Sequence, residues 1–320
     1  MMFLGKEIGD GHPPFFIAEV SQNYASYEEF CSLADSIKRA QADAIKIQAL
    51  VPDDMTIDID SFKYGDTKLY DLYTGDIPIG DLFNYCDSIG LPCFASVYGP
   101  KSLEMCEKLG CPAYKISSFE NNWTDFINLV RSTGKPLIVS LGFHSGTPIL
   151  RNEIAMHCVS AYPTKSENTN MRRVLQLRDS YSYVGFSDHT GGFYNASAAI
   201  AAVTLGACMI EKHVGNGSAS LDEAPYTVCP QEFNHMVETC RHAYNVVNMG
   251  TNDVEEPFEQ YRRSIYVIRD IKRGEAFTAD NIKVIRPGYG MHPNRYNSVL
   301  GRVAAIDLKR GLPLVTGAIK

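Results

Sequence analysis

The feature that most constrains this chain is a repeated alternation of short apolar segments with segments of helical periodicity. In residues 27–40, for example, Phe30, Leu33, Ala34 and Ile37 fall on one face of a helix. Eight apolar segments have the length and composition of buried β-strands. They are residues 14–20, 44–48, 92–97, 113–117, 136–140, 154–161, 183–187 and 208–213. Eight strands, each followed by a helix, predict an α/β fold of the (β/α)8 TIM-barrel type, because eight parallel strands close a barrel. An open, doubly wound sheet is the alternative.

The alternation stops at a polar, acidic segment, MGTNDVEEP at residues 249–257. We therefore predict a barrel domain at residues 1–250, a linker at 251–261 and a small β-rich domain at 262–320. Within the last, residues 264–268, 282–285 and 303–305 have the composition of short β segments. About sixty residues is marginal for independent stability, so we expect this domain to pack on a barrel, its own or a partner's.

Composition excludes several classes of protein. A net charge of −7 and a pI near 5.6 argue against nucleic acid or an anionic membrane as the main partner. The nine cysteines form no CxxC pair, which favours reduced thiols over disulfides or a structural zinc site. No apolar run approaches the roughly 18 residues of a membrane span, and no signal peptide is evident, so we expect a cytoplasmic protein.

In a barrel of this kind the active site lies at the carboxyl ends of the strands. His189 and His213 close the seventh and eighth predicted strands, in the strings GFSDHT and IEKH. Neighbouring strands lie about 4.8 Å apart, so two imidazoles at adjacent strand ends can bind one divalent ion and leave positions for water and substrate. Two unrelated histidines with ordinary hydrogen bonds are the alternative.

Other strand ends carry cationic and hydroxyl groups. Lys46, Lys115 and Lys212 lie within apolar strands, where a buried ammonium needs an anion. This pattern indicates a phosphate or carboxylate ligand, with structural salt bridges as the alternative. The hydroxyls that could join such a site belong to Ser118, Ser140 and Ser187.

Two glutamates, Glu19 and Glu120, follow apolar strands near these cations and could act as general acid or base, or else as helix caps or salt-bridge partners. Asn170 lies in a loop after a strand, where turn residues are common. Arg286 lies in the turn RPGYG, which is able to project a guanidinium outward; solvent exposure is its default.

Taken together, seven strings resemble segments of the sialic acid synthase family and occur in the same order as in that family. They are FIAEVSQN, ADAIKIQ, YKISSFE, KPLIVSLG, SAYPT, GFSDHT and LGACMIEKH. The tail from RRSIYVIRD to GYGMHP resembles that family's antifreeze-like (SAF) domain, so the resemblance covers nearly the whole chain. The tail and YKISSFE especially resemble pseudaminic acid synthases. The resemblance implies condensation of phosphoenolpyruvate with an N-acylated aminosugar, here a 2,4-diacetamido-2,4,6-trideoxyhexose, to give a nine-carbon keto acid.

The resemblance also implies roles for individual residues. His189 and His213 match manganese ligands. Phosphoenolpyruvate contacts are matched by Lys46, Lys115, Ser118, Ser140, Asn170 and Ser187. Glu19 and Glu120 match carboxylates near the reacting centre, and Asp222 matches a sugar-binding aspartate. Arg286 matches an arginine that reaches the other subunit's barrel in a domain-swapped homodimer.

Two departures from the family pattern bear on the substrate. Tyr24 replaces a histidine near Glu19, and Leu141 replaces a hydroxyl residue beside Ser140. Synthesis of N-acetylneuraminate or legionaminic acid therefore stays open as an alternative. Further alternatives are a metal-dependent aldolase or hydrolase on the same fold and a non-catalytic sugar-binding protein.

Overall fold

The structure is a computed structural model of the 320-residue chain. It describes residues 1–73, 77–142, 148–191, 196–217, 225–250 and 258–320. The chain divides into two compact units, Met1–Gly250 and Thr251–Lys320. Within the described ranges, no helix combines the length and apolar character needed to cross a membrane.

The first unit contains a closed barrel of eight parallel strands, as the sequence predicts. The strands are β1 (Phe15–Ser21), β2 (Ala44–Ala49), β3 (Cys93–Val97), β4 (Tyr114–Ile116), β5 (Leu137–Ser140), β6 (Ile154–His157), β7 (Val184–Asp188) and β8 (Met209–His213). Each pairs with its neighbours in sequence, and β8 pairs with β1 to close the barrel. The strands are buried nearly throughout, because side chains fill the interior and helices cover the outside.

Seven helices of at least seven residues surround the barrel in the described ranges. They are α1 (Tyr27–Arg39), α2 (Ile79–Ser88), α3 (Pro100–Lys108), α4 (Thr124–Arg131), α5 (Arg172–Arg178), α6 (Ser197–Thr204) and α7 (Pro230–Asn248). In α1 the four apolar residues predicted to share a face are buried. A helix was expected after every strand; after β5, the described residues 141–142 and 148–153 form none.

Strand register sets which side chains meet at the carboxyl end. Glu19 on β1 is the Cα partner of Lys46 on β2 and of His213 on β8, and Asp188 on β7 is the partner of Lys212 on β8. Successive side chains on a strand point to opposite faces. His213 therefore faces the barrel interior with Glu211, whereas Lys212 faces the surrounding helices.

A short excursion between β2 and α2 also contributes to the site. It contains a helical turn at Pro52–Met55, a two-stranded hairpin of Lys63–Tyr64 and Thr67–Lys68, and a second turn at Leu69–Leu72. Tyr64 and Tyr73 from this excursion line a cavity at the carboxyl ends of the barrel strands.

The second unit has a hydrophobic core of its own. Two of the predicted β segments form strands β9 (Ser264–Val267) and β10 (Ile282–Ile285), and these strands pair antiparallel. Single bridges at Val303 and Ala304 account for the predicted third β segment. Ile265, Phe277 and Leu314 are among the buried residues of this core.

Candidate active site

A cavity of about 820 Å³ opens at the carboxyl ends of the barrel strands. Seven of the twelve predicted site residues line it: Glu19, Lys46, Lys115, Ser118, Ser140, His189 and His213. Ser187 joins them indirectly, because its hydroxyl donates to Glu211 Oε1 at 2.9 Å. The barrel thus gathers most of the predicted site into one place.

Two lysines and two glutamates form the floor of this cavity. Lys46 pairs with Glu19 and donates a hydrogen bond to Ser96 Oγ at 2.8 Å. Lys115 pairs with Glu211, whose second oxygen lies 4.0 Å from Lys46 Nζ. All four ionic side chains are almost completely buried. Each lysine is therefore compensated by a buried carboxylate. This is the salt-bridge alternative considered in the sequence analysis, but these salt bridges lie inside the cavity.

Glu211 is a site residue that the sequence reasoning missed. It bonds Lys115 and Ser187 and faces Lys46, so one carboxylate contacts three predicted substrate-binding residues. Burial alone would raise the pKa of Glu211, but Lys115 and Lys46 outweigh burial and lower it to about 2. Strand alternation could have found it, because Glu211 lies two residues before His213 on the same strand.

Lys212 differs from the other two lysines. It is fully buried outside the cavity lining, where it pairs with Asp188 and donates to the carbonyl oxygen of Thr190 at 2.5 Å. Burial lowers the pKa of Lys212, and Asp188 opposes that effect. For this lysine, the structural salt bridge is the correct interpretation.

A group of hydroxyls lies beside the lysines. Ser118 Oγ and Ser160 Oγ are 2.8 Å apart, and the Asn121 side-chain amide donates to the Ser140 carbonyl at 3.0 Å. Gly142 permits this arrangement, since a Cβ there would lie 2.3 Å from Ser160 Oγ and 2.8 Å from Ser118 Oγ. The chain after β5 can approach the serines this closely only as glycine.

The two histidines lie side by side, with ring centroids 5.5 Å apart. His189 Nδ1 is 3.1 Å from the Val159 carbonyl, so this nitrogen carries the proton and Nε2 keeps its lone pair. Burial, with a smaller effect of His213, lowers the pKa of His189 to about 3. His189 is thus held neutral, the form that binds metals.

These features fit a shared divalent cation. A metal–imidazole bond of about 2.1 Å places ring centroids roughly 5 Å apart when two histidines bind one ion at a tetrahedral angle. An Nδ1–H donated to a backbone carbonyl is also typical of metal-binding histidines. Among the described residues no group of three or more His, Cys, Asp or Glu side chains could hold a metal, so a cation here would rest on these two imidazoles and on water or substrate.

Aromatic side chains form much of the remaining wall. Tyr162 packs on His189 with a centroid distance of 4.4 Å, and Tyr226 lies edge-on to His213 at 4.9 Å. Four further aromatic residues line the cavity: Tyr64, Tyr73, Tyr98 and Phe119. Apart from the ionic floor and the histidines, this wall suits a ligand with apolar groups.

The four remaining predicted residues are placed differently. Glu120 accepts a hydrogen bond from Ser117 in the turn after β4, where burial raises its pKa, and it does not line the cavity. Asn170 is exposed in a left-handed backbone conformation with φ of 49°. Arg286 is exposed in the second unit. Asp222 lies outside the described residues.

The two departures from the expected pattern also lie off the cavity wall. Tyr24 packs edge-on to Phe30 at 5.2 Å, and burial raises its pKa to about 12. Leu141 is partly buried against the barrel core, with its amide donating to the Met156 carbonyl at 2.8 Å. Neither side chain is among the residues that line the cavity in the described part of the chain.

Comparison with known proteins adds to this geometry. A model of the NeuB family matches residues 33–252, and a model of the SAF domain matches residues 262–320. The pseudaminic acid synthase of Campylobacter jejuni serotype O:2 is 34% identical over 95% of this chain and 96% of its own length. That of Helicobacter pylori is 34% identical over 94% and 96%. A crystal structure of the spore coat polysaccharide biosynthesis protein SpsE of Bacillus subtilis matches with a TM-score of 0.64 and 26% identity, covering 98% of this chain and 97% of that one.

Proposed function

The chain belongs to the NeuB family, and on that premise we propose that it is a pseudaminic acid synthase. It condenses phosphoenolpyruvate with a 2,4-diacetamido-2,4,6-trideoxy aldose, giving a nine-carbon keto acid and phosphate. The observation that carries the proposal is one cavity that combines two buried lysines, a hydroxyl cluster and two adjacent histidines. The 34% identity to pseudaminic acid synthases over nearly the full length supports the choice of acceptor.

Phosphoenolpyruvate binds at the ionic floor in this proposal. Lys46 and Lys115 stabilise its phosphate and carboxylate groups, and the hydroxyls of Ser118 and Ser140 donate to its oxygens. Ser187, whose hydroxyl donates to Glu211, is proposed as a contact on the resemblance. Because the floor is enclosed by protein, each of these charge-assisted contacts is stronger than it would be in water. Asn170 remains a proposed contact on the strength of the resemblance alone.

His189 and His213 would hold a divalent cation, which we propose to be manganese. When bound, such an ion supplies Lewis-acid polarisation of the open-chain sugar's aldehyde. The protein's part is to keep both imidazoles neutral and oriented. Hydrogen bonding to Val159 and burial meet that requirement for His189.

The methylene carbon of phosphoenolpyruvate forms the new bond to the aldehyde carbon. The adjacent carbon becomes electron-poor, a water adds there, and phosphate leaves from the resulting tetrahedral centre. We assign orientation of that water to Glu19, because it lines the cavity and its Oε1 is fixed by the Ser21 amide at 2.7 Å. Glu120 was the other candidate, but it lies outside the lining.

The acceptor lies toward the aromatic wall in this proposal, where its methyl and acetamido groups find apolar contacts. Asp222 binds a sugar hydroxyl. Arg286 contacts an acyl group of the acceptor from the other subunit of a domain-swapped homodimer. We place the enzyme in the cytoplasm.

A panel of acceptors tests the proposal. Phosphate release and product mass are measured with phosphoenolpyruvate, Mn²⁺ and one aldose at a time: the diacetamido trideoxyhexose, N-acetylmannosamine and its 6-phosphate, and the legionaminic acid precursor. We expect release with the first acceptor and a product mass equal to the sum of both substrates plus water minus phosphate. Turnover of another acceptor alone would replace the assignment, and binding of the sugars without turnover would show a non-catalytic protein.

A further inference from the structure

Behind the two histidines, the strand ends hold a buried ion pair that the proposed chemistry does not use. Asp188 and Lys212 are Cα partners on β7 and β8, and Lys212 Nζ lies 3.4 Å from Asp188 Oδ2. Both side chains are completely buried. Because side chains alternate along a strand, this pair faces the helices, while the next residues, His189 and His213, face the cavity. The pair therefore joins the two strands that carry the histidines.

The same pair fixes the residue on the far side of His189. Asp188 Oδ1 accepts hydrogen bonds from the amide and the hydroxyl of Thr190 at 2.8 and 2.7 Å. Lys212 Nζ donates to the Thr190 carbonyl. The carbonyl of His189 in turn accepts from the Thr164 amide at 2.8 Å. The ion pair thus fixes the main chain at Thr190, directly after His189, and Asp188 itself directly precedes His189.

Stability alone does not account for such a pair. Removing two charges from water is costly, and apolar residues of similar volume often serve as well or better. The best-attested use of buried ionic groups is to select one arrangement among several. Here the arrangement selected is the turn that presents the His189 ring.

We propose that Asp188 and Lys212 are positioning residues for His189. They hold the turn so that His189 Nδ1 donates to the Val159 carbonyl and Nε2 faces the cavity, at a fixed separation from His213. The inference rests on the proposed function only where it concerns binding of the cation. The orientation of the His189 imidazole in the metal-free protein does not depend on that function and is tested separately.

The test replaces the pair by apolar residues, Asp188→Leu with Lys212→Met, so that no unpaired charge remains. The matched control is Arg131→Met with Glu153→Leu. That pair also combines a close ion pair, 2.6 Å, with bonds to the main chain at Leu150 and Pro148. It lies away from the cavity lining.

Two readouts are taken on the full-length protein. In the metal-free state, long-range ¹H–¹⁵N NMR of the imidazoles reports which nitrogen of His189 carries the proton, with His189→Ala giving the assignment. Mn²⁺ affinity is measured from the electron paramagnetic resonance signal of free Mn²⁺. Circular dichroism checks that each variant is folded.

We expect the Asp188–Lys212 variant to lose the single Nδ1–H form of His189 and to bind Mn²⁺ at least tenfold more weakly, the usual effect of removing groups that orient metal ligands. The control variant should match the parent in both. An unchanged tautomer and affinity would overturn the proposal. If the parent itself binds no Mn²⁺, the metal assignment fails, while the tautomer still decides the positioning role.

A milder variant covers the case in which the apolar pair does not fold. In Asp188→Asn with Lys212→Met, the Thr190 amide keeps an acceptor and only the Thr190 carbonyl loses its donor. We expect a smaller shift in tautomer population and affinity, in the same direction. Parent-like values in this folded variant would also overturn the proposal.

Discussion

Replacing Lys115 by methionine separates its two roles in the ionic floor. The side chain is 7% exposed and pairs with Glu211, so the change removes a buried cation while keeping most of the packing volume. Among the described residues, Glu211 would keep Lys46 as its ion-pair partner, at 4.0 Å, and the hydrogen bond from Ser187. Two unit charges at that distance interact by about 4 kcal/mol at an effective dielectric constant near 20. This remaining attraction places the cost at the lower end of the range for breaking a buried pair, about 3 kcal/mol of unfolding free energy.

The effect on catalysis should be separable from the effect on stability. Loss of a lysine that contacts an anionic substrate in an enclosed site should lower kcat/KM for phosphoenolpyruvate by about 30-fold or more, equivalent to about 2 kcal/mol. In the double variant Lys115→Met with Glu211→Gln, no uncompensated charge is left. Its unfolding free energy should return to within about 1 kcal/mol of the parent, while kcat/KM stays low.

Urea unfolding and phosphate-release kinetics at saturating acceptor measure the two quantities. Lys135→Met is the matched control, because Lys135 forms a partly exposed pair with Glu107 outside the cavity. It should cost less than about 1 kcal/mol and leave phosphoenolpyruvate kinetics unchanged. Parent-like phosphoenolpyruvate kinetics in the Lys115 variant would refute the substrate-binding role and leave Lys115 as a purely structural ion pair.

Three further predictions concern other parts of the site. His189→Ala or His213→Ala should abolish activation by divalent metal and leave the circular dichroism spectrum unchanged; a parent-like response of activity to Mn²⁺ would remove the metal assignment. Gly142→Ala should raise KM for phosphoenolpyruvate with little change in kcat, because its Cβ would displace Ser118 and Ser160, and steady-state kinetics with an unchanged KM would contradict this. Arg286→Ala and His189→Ala proteins, each inactive and then co-refolded, should regain activity in mixed dimers; demonstrated heterodimers without activity would exclude a role for Arg286 across subunits.

Much of the barrel was predictable because burial is periodic in the sequence. All eight strands and the buried face of α1 follow from apolar spacing. The sixth strand was predicted to extend to residue 161, but it ends at His157. Beyond it, Val159 and Ser160 hold His189 and Ser118 rather than continuing the sheet. Apolar composition alone does not distinguish these two kinds of burial.

The site was only partly predictable for a related reason. Residue type does not tell Lys115 from Lys212, since both are buried ammonium groups in apolar strands. Their difference lies in which face of the strand they occupy, and that depends on register. Once His213 is taken as facing the cavity, alternation places Lys212 outside and Glu211 inside. For Glu120 the strand register gives no such help, because the residue lies in a turn after β4. Nothing in its local sequence reveals that its side chain lies outside the cavity lining.

The ionic floor has a consequence for ligand selection. In this cavity each lysine is already paired with a glutamate. An anion that enters can bind a lysine only by weakening the ion pair between that lysine and its glutamate. The net free energy of binding is then a small difference between two large interaction energies. A small anion such as chloride, which can contact only one lysine, therefore binds weakly. A molecule with two anionic groups on a short rigid frame can engage both lysines at once. Such a cavity selects by the number and spacing of charges on a ligand.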